Sequence, residues 1–125
     1  MGIEQDSSLL AILDDDESVQ GALQDLIESE GLSALCFGSA EQFLNDGAQH
    51  KAACLIADIR MPGMSGLELQ AKLRAEQCQI PIIFITAHGD AEMRIVAMRE
   101  GAVEFLTKPF DDAVLLELVH AAVGD

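Results

Sequence analysis

Short, uninterrupted apolar runs, each closed by a polar residue at its carboxyl end, leave this chain few ways to fold. Leu9–Leu13 stops at Asp14-Asp15-Asp16, Ala53–Ala57 stops at Asp58, and Pro81–Thr86 carries Ile82, Ile83, Phe84 and Ile85 to a terminal hydroxyl. Runs of this length without alternation suit strands buried on both faces, the habit of parallel sheets. Ser33–Phe37 and Val103–Leu106 are weaker versions of the same pattern. Between the runs the apolar period becomes helical. Val19, Ala22, Leu23, Leu26 and Ile27 share one helical face, Leu69 and Leu73 another, and Val114, Leu115, Leu118, Val119 and Ala122 a third.

Punctuation agrees with the periods. Ser39 with Gln42, and Ser65 with Glu68, have capping-box spacing, predicting a short helix to about Asp46 and a longer one to about Gln77. Asp90 and Asp111 stand at helix starts. Gly31 and Gly101 are placed to end helices, Gly31 in a left-handed cap. Phe110 is placed to staple onto Leu115, and Gly47–Lys51 reads as a polar loop. Pro81 is tolerated as the first residue of its strand. Five strands alternating with five helices predict an α/β fold, one parallel sheet with helices on both faces and right-handed crossovers. With no repeat, low-complexity stretch or linker, residues 1–125 read as a single domain with an ordered core from about 9 to 123.

Composition removes several functions. Twenty-two acidic residues against seven basic ones give a net charge of −15, so direct binding to nucleic acid or an anionic membrane is not expected of this domain. Cys36, Cys54 and Cys78 are odd in number and lack metal-ligand spacing, reading as reduced thiols. No secretory leader precedes Leu9, and no apolar run approaches the roughly 20 residues of a membrane span. A soluble, cytoplasmic protein is the expectation.

In a parallel sheet all strands point one way, so Asp14, Asp15, Asp58, Thr86 and Lys108 converge at one edge, where open α/β sheets hold their ligands. Crowded carboxylates raise one another's pKa, and a hard divalent cation such as Mg²⁺ relieves the crowding. Lys108 offers a charge and Thr86 a hydroxyl to phosphoryl oxygens. Asp58 is then placed to attack phosphorus and form an aspartyl phosphate, with the protein supplying position and charge neutralisation. Taken singly, each residue has a plainer reading: a helix-start acidic cluster, a surface lysine, a strand-end hydroxyl. Their joint occurrence at separate strand ends favours the site.

Four segments carry a resemblance: Ile12-Leu13-Asp14-Asp15-Asp16-Glu17, Asp58-Ile59-Arg60-Met61-Pro62-Gly63-Met64-Ser65-Gly66, Pro81-Ile82-Ile83-Phe84-Ile85-Thr86-Ala87 and Lys108-Pro109-Phe110. They resemble the receiver domains of bacterial two-component response regulators, from Leu9 to about Val123. His88-Gly89-Asp90 with the run Ala97–Phe105 is most similar to receivers of the FixJ/NarL type. The resemblance implies a flavodoxin-like (βα)5 fold with strand order 2-1-3-4-5. It implies that Asp58 takes a phosphoryl group from a sensor histidine kinase, in two-component phosphorelay signalling that regulates transcription. Mg²⁺ (or Mn²⁺) would be bound by Asp15, Asp58 and the backbone carbonyl of Arg60, with Asp14 holding a metal-bound water. Thr86 and Lys108 would grip phosphoryl oxygens, and Ile59 and Ala87 would line the phosphate pocket.

On the same footing, Thr86 and Phe105 would form the switch, with Phe105 filling space that Thr86 vacates. Arg60 and His88 would flank the site at its rim; His88 as a metal ligand is the sharper, less favoured reading. Such a domain is no enzyme beyond its own phosphorylation and autodephosphorylation. Arg94 and Arg99, with Glu104, Asp111 and Asp112, suggest a face for a phosphorylation-dependent homodimer, against the plainer reading of a solvated surface. The chain ends soon after its last helix without a DNA-binding output domain, and the likeness to transcription-factor receivers favours an excised receiver over a complete regulator.

Other readings fit less well. Asp14, Asp16 and Ser18 mimic the start of an EF-hand loop, but Val19 falls where glycine is required. A haloacid dehalogenase-type phosphatase would use Asp14 as nucleophile and Asp16 as acid, but Glu17 and Ser18 break its signature. A receiver-like interaction module that is never phosphorylated is opposed by the complete set of site residues.

Overall fold

The computed structural model describes residues 6–87 and 90–124. Strands β1 (Asp6–Leu13), β2 (Ser33–Phe37), β3 (Ala52–Ala57), β4 (Ile82–Thr86) and β5 (Glu104–Thr107) form one parallel sheet in the order β2-β1-β3-β4-β5. Five helices alternate with them: α1 (Glu17–Glu28), α2 (Ala40–Asp46), α3 (Gly66–Ala75), α4 (Ala91–Arg99) and α5 (Asp112–Val123). Successive side chains of a strand point to opposite faces, and β1 shows the result. Leu10 and Ile12 join Leu23, Ile27, Leu115 and Val119 beneath α1 and α5. Ala11 and Leu13 join Phe43, Leu69, Leu73 and Ala97 beneath α2, α3 and α4. Both faces are therefore covered, which is why β3 and β4 read as continuous apolar runs.

Caps fall largely where the side chains allow. Ser65 and Glu68 make a complete capping box. Asp90 accepts from the Met93 N–H and Asp111 from the Ala113 N–H. Asp16, not expected as a cap, starts α1 by accepting from both the N–H and the hydroxyl of Ser18. Phe110 packs against the cluster that contains Leu115. Gly101 follows α4 with φ +98°.

Several boundaries differ from the periodic reading, for physical reasons. β1 begins at Asp6, because ladder pairing of Asp6 with Ala52 needs only backbone. β5 sits one residue later than the apolar run, leaving out Val103 and taking in Thr107. Gly31 has φ +78° but is not the cap of α1; Ser29 caps it, and Gly31 completes the turn into β2. α3 stops at Ala75, and Gln77 adopts φ +62° just beyond it. Only half of the Ser39 capping box forms, since Gln42 Oε1 accepts from the Gly38 N–H. The polar loop at Gly47–Lys51 contains a 3-10 turn, Ala48–His50.

Candidate functional site

The carboxyl ends of β1, β3, β4 and β5 meet at one edge of the sheet. The Asp58 N–H donates to the Leu13 carbonyl (2.9 Å), prolonging the β1–β3 ladder so that Asp58 emerges beside Asp14 and Asp15. Carboxylate oxygens of Asp14, Asp15 and Asp58 all lie within 4.8 Å of one another. Lys108, just past β5, brings its Nζ to 3.2 Å from Asp14 Oδ2 and 3.6 Å from Asp58 Oδ2. Its own N–H donates to the Thr86 carbonyl (2.9 Å), which ties the ends of β4 and β5 together. Thr86 is buried at the end of β4.

Each carboxylate has a different environment. Asp14 is buried, and its Oδ1 accepts from the Asp16 N–H (2.9 Å). Burial pushes the Asp14 carboxyl above the ordinary carboxylate range, more than the Asp16 N–H and the Lys108 ammonium pull it back; the Asp58 charge adds to the rise. Asp58 is partly buried, and its Oδ1 accepts from the Ile59 N–H (2.7 Å), which leaves Oδ2 towards Lys108. Asp15 is exposed. Three oxygen donors without nitrogen or sulfur suit a hard divalent cation that keeps part of its water shell.

The loop after Asp58 is held from several sides. The Gly66 N–H donates to the Ile59 carbonyl (2.8 Å), and a β-carbon on Gly66 would collide with the Asp58 carbonyl oxygen. Gly63 turns the chain with φ +79°, and Glu41 of α2 accepts from the Met64 N–H (3.2 Å). Gly66 closes the segment that carries the resemblance, but neither its close approach to Asp58 nor the bond made by Glu41 was expected from the sequence. A glycine at the first position of a helix, where propensity disfavours it, was the available signal for Gly66; Glu41 offered none.

The remaining candidates divide. Ile59 contributes its N–H, while its side chain is buried in the core. Ala87 and Arg60 are exposed at the rim, and His88 lies outside the described residues. Phe105 is 5% exposed and packs against Phe84, ring centroids 6.3 Å apart, so its inward seat is already filled. Arg94 pairs with Glu104 of its own chain (3.0 Å) and donates to the Phe105 carbonyl (2.9 Å), while Glu104 accepts from the Phe105 N–H. Asp111 is occupied as the cap of α5. Of the expected dimer-face residues, Arg94, Glu104 and Asp111 are thus engaged within the chain.

The sequence model of the response regulator receiver domain matches residues 10–120. The chain belongs to that family. This receiver is 50% identical over 117 residues to the response regulator protein TodT of Pseudomonas putida, covering 94% of this chain and 52% of TodT. It is 42% identical over 113 residues to the transcriptional regulatory protein FixJ of Azorhizobium caulinodans, covering 90% and 54%. Among solved structures, FixJ-N superposes with a TM-score of 0.84 at 38% identity, over 97% of this receiver and 96% of that chain. The response regulator StyR superposes with a TM-score of 0.85 at 44% identity, over 93% and 59%. The receiver spans about half the length of the curated relatives it matches. Family and topology together exclude the EF-hand and dehalogenase readings. Among the described residues, no helix is long and apolar enough to cross a membrane.

Proposed function

We propose that this receiver accepts a phosphoryl group on Asp58 from the phosphohistidine of a sensor histidine kinase. The observation that carries the reading is the convergence of the Asp14, Asp15 and Asp58 carboxylates within 4.8 Å, with Lys108 Nζ 3.6 Å from Asp58. Asp58 oxygen attacks phosphorus, the phosphorus–nitrogen bond breaks, and the histidine leaves with the bonding pair. The Ile59 N–H orients the carboxylate through Oδ1, and Lys108 meets charge developing on the phosphoryl oxygens. Thr86 and Ala87 stand at the end of β4, one to hold a phosphoryl oxygen and the other to leave it room.

Asp15, Asp58 and the Arg60 carbonyl would hold Mg²⁺ (or Mn²⁺), with Asp14 on a bound water, and the all-oxygen donor set fits such an ion. When bound it would neutralise carboxylate and phosphoryl charge together. Phosphorylation replaces the single charge of the carboxylate with a phosphoryl group of about −1.5 to −2 and its strong acceptor oxygens, and Thr86 answers it from β4. Because Phe105 is already inside, the switch in this chain is a change in how Thr86 and β5 pack around a seated ring, a population shift between two packings.

Activated copies would then pair through α4 and β5. The exposed Ile95 and Val96 on α4 support this; Arg99 and Asp112 are the charges left for a partner copy. Transcriptional regulators of about twice the length among the relatives support an action on a DNA-binding output domain, in the cytoplasm. Treating the protein with acetyl phosphate or beryllofluoride and Mg²⁺ beside Asp58→Asn tests the core of the proposal. A mass or spectral change confined to the unsubstituted protein is expected; no such change would overturn it. Sedimentation with and without beryllofluoride tests pairing, and a monomer under both conditions at high concentration would reject it.

A further inference from the structure

The acidic pair at the end of β1 is held by a residue that has no charge and belongs to a helix. Gln20 is the fourth residue of α1. Helical side chains lean towards the helix N-terminus, and Gln20 lies back over the β1–α1 connection. Its Nε2 donates to the Asp14 carbonyl at 2.6 Å and reaches the Phe37 carbonyl at 3.4 Å. One amide group therefore spans the ends of β1 and β2. Phe37 already accepts from the Asp14 N–H (3.1 Å), so that carbonyl does not depend on Gln20. The short bond is the one to Asp14.

The Asp14 carbonyl belongs to the peptide that joins Asp14 to Asp15. A peptide is planar, so fixing that oxygen fixes the plane from which the Asp15 side chain departs. Asp14 has further supports, since its Oδ1 accepts from the Asp16 N–H and its Oδ2 faces Lys108. The Asp15 carboxylate is exposed and has no side-chain hydrogen bond among the described residues. Among the described residues, only the backbone directs it.

We infer that Gln20 is a positioning residue for the cation site, holding the Asp14–Asp15 peptide so that the Asp15 carboxylate is preset towards Asp58. The inference rests on the reading of this edge as a Mg²⁺-dependent phosphoacceptor site. Without the amide, the peptide samples other orientations, and part of the binding free energy goes to ordering it. Outer partners of metal ligands typically change affinity by about 10- to 100-fold, and a partner that acts through backbone belongs at the lower end.

The test is a Mg²⁺ titration by calorimetry of the unsubstituted protein, Gln20→Met, Asp15→Asn and the double variant, with urea unfolding of each without metal. Methionine keeps the length and the helix but loses the N–H donors. Gln20→Asn, one methylene too short to span both carbonyls, is the second variant should Gln20→Met fold poorly. We expect the Mg²⁺ Kd to rise about tenfold in Gln20→Met, while acetyl phosphate labelling at saturating Mg²⁺ stays within about twofold. In the Asp15→Asn background the same substitution should add nothing. An unchanged Kd in both Gln20 variants, or an equal loss with and without Asp15, would overturn the inference. A failure of the unsubstituted protein to bind Mg²⁺ or take up phosphate would instead overturn the phosphoacceptor reading beneath it.

Discussion

Lys108 sits nearer to Asp14 than to Asp58, 3.2 Å against 3.6 Å. Its ammonium therefore serves first as the counter-charge of the more buried carboxylate. Removing it leaves crowded carboxylates without their cation, a situation that destabilises more than losing an exposed ion pair. Lys108→Met should lower metal-free stability by about 1.5–3 kcal/mol, the range for hydrogen bonds to charged groups. Saturating Mg²⁺ should recover part of the loss. Urea unfolding with EDTA and with Mg²⁺ measures both.

Burial holds the Asp14 carboxyl above its ordinary value, which fixes the sign of a pH effect. The folded, metal-free protein binds this proton more readily than the unfolded chain. Asp14 thus contributes stability that is fully present below the unfolded pKa of about 3.9 and is lost as pH rises through the folded value. Asp16 is shifted down by its bonds to Ser18 and acts in the opposite sense. The difference between the unsubstituted protein and Asp14→Asn isolates Asp14: in EDTA the variant should gain relative stability as pH rises through that window. Mg²⁺ affinity should weaken on acidification before ordinary carboxylates titrate.

Gly66 and Gly21 make a matched pair. A β-carbon at Gly66 meets the Asp58 carbonyl, the Ile59 backbone and the Phe84 ring, whereas one at Gly21, inside α1, meets nothing within 4 Å. Gly66→Ala should cost about 1–3 kcal/mol as an overpacking change and lower the acetyl phosphate labelling proposed for Asp58. Gly21→Ala should stabilise by about 0.5–1 kcal/mol through helix propensity. Thermal unfolding of the two variants reads the contrast.

Cys54 is fully buried, with its thiol pushed up to about 12 by desolvation. Iodoacetamide at pH 8 should leave it unmodified in the folded protein and alkylate it in urea, as peptide mass spectrometry will show. Between about pH 9 and 12 the unfolded thiol ionises first, so Cys54 makes stability fall with pH across that window.

The alternation of strands and helices was legible because burial on two faces leaves a direct mark on composition. Asp14, Asp15, Asp58 and Lys108 were legible for a related reason: a strand's carboxyl end can be found without knowing its neighbours. Gln20 and Glu41 were not, because their bonds are to backbone groups brought near by packing. The pairing of Arg94 with Glu104 needed the placement of α4 against β5, which no period reveals. Phe105 was expected to seek an inward seat; its burial beside Phe84 depended on core volume that local sequence does not report.

The bonds around Phe105 have a bearing on more than the proposed switch. β5 is the last strand of the sheet, and an edge strand with free backbone groups is a template for addition of a further chain. Here the Phe105 N–H is taken by Glu104 and the carbonyl by Arg94. A passing strand in search of a ladder finds those two rungs filled. Sheet extension at that margin would first have to break bonds the chain makes with itself, so the edge resists growth without a proline or a bulge.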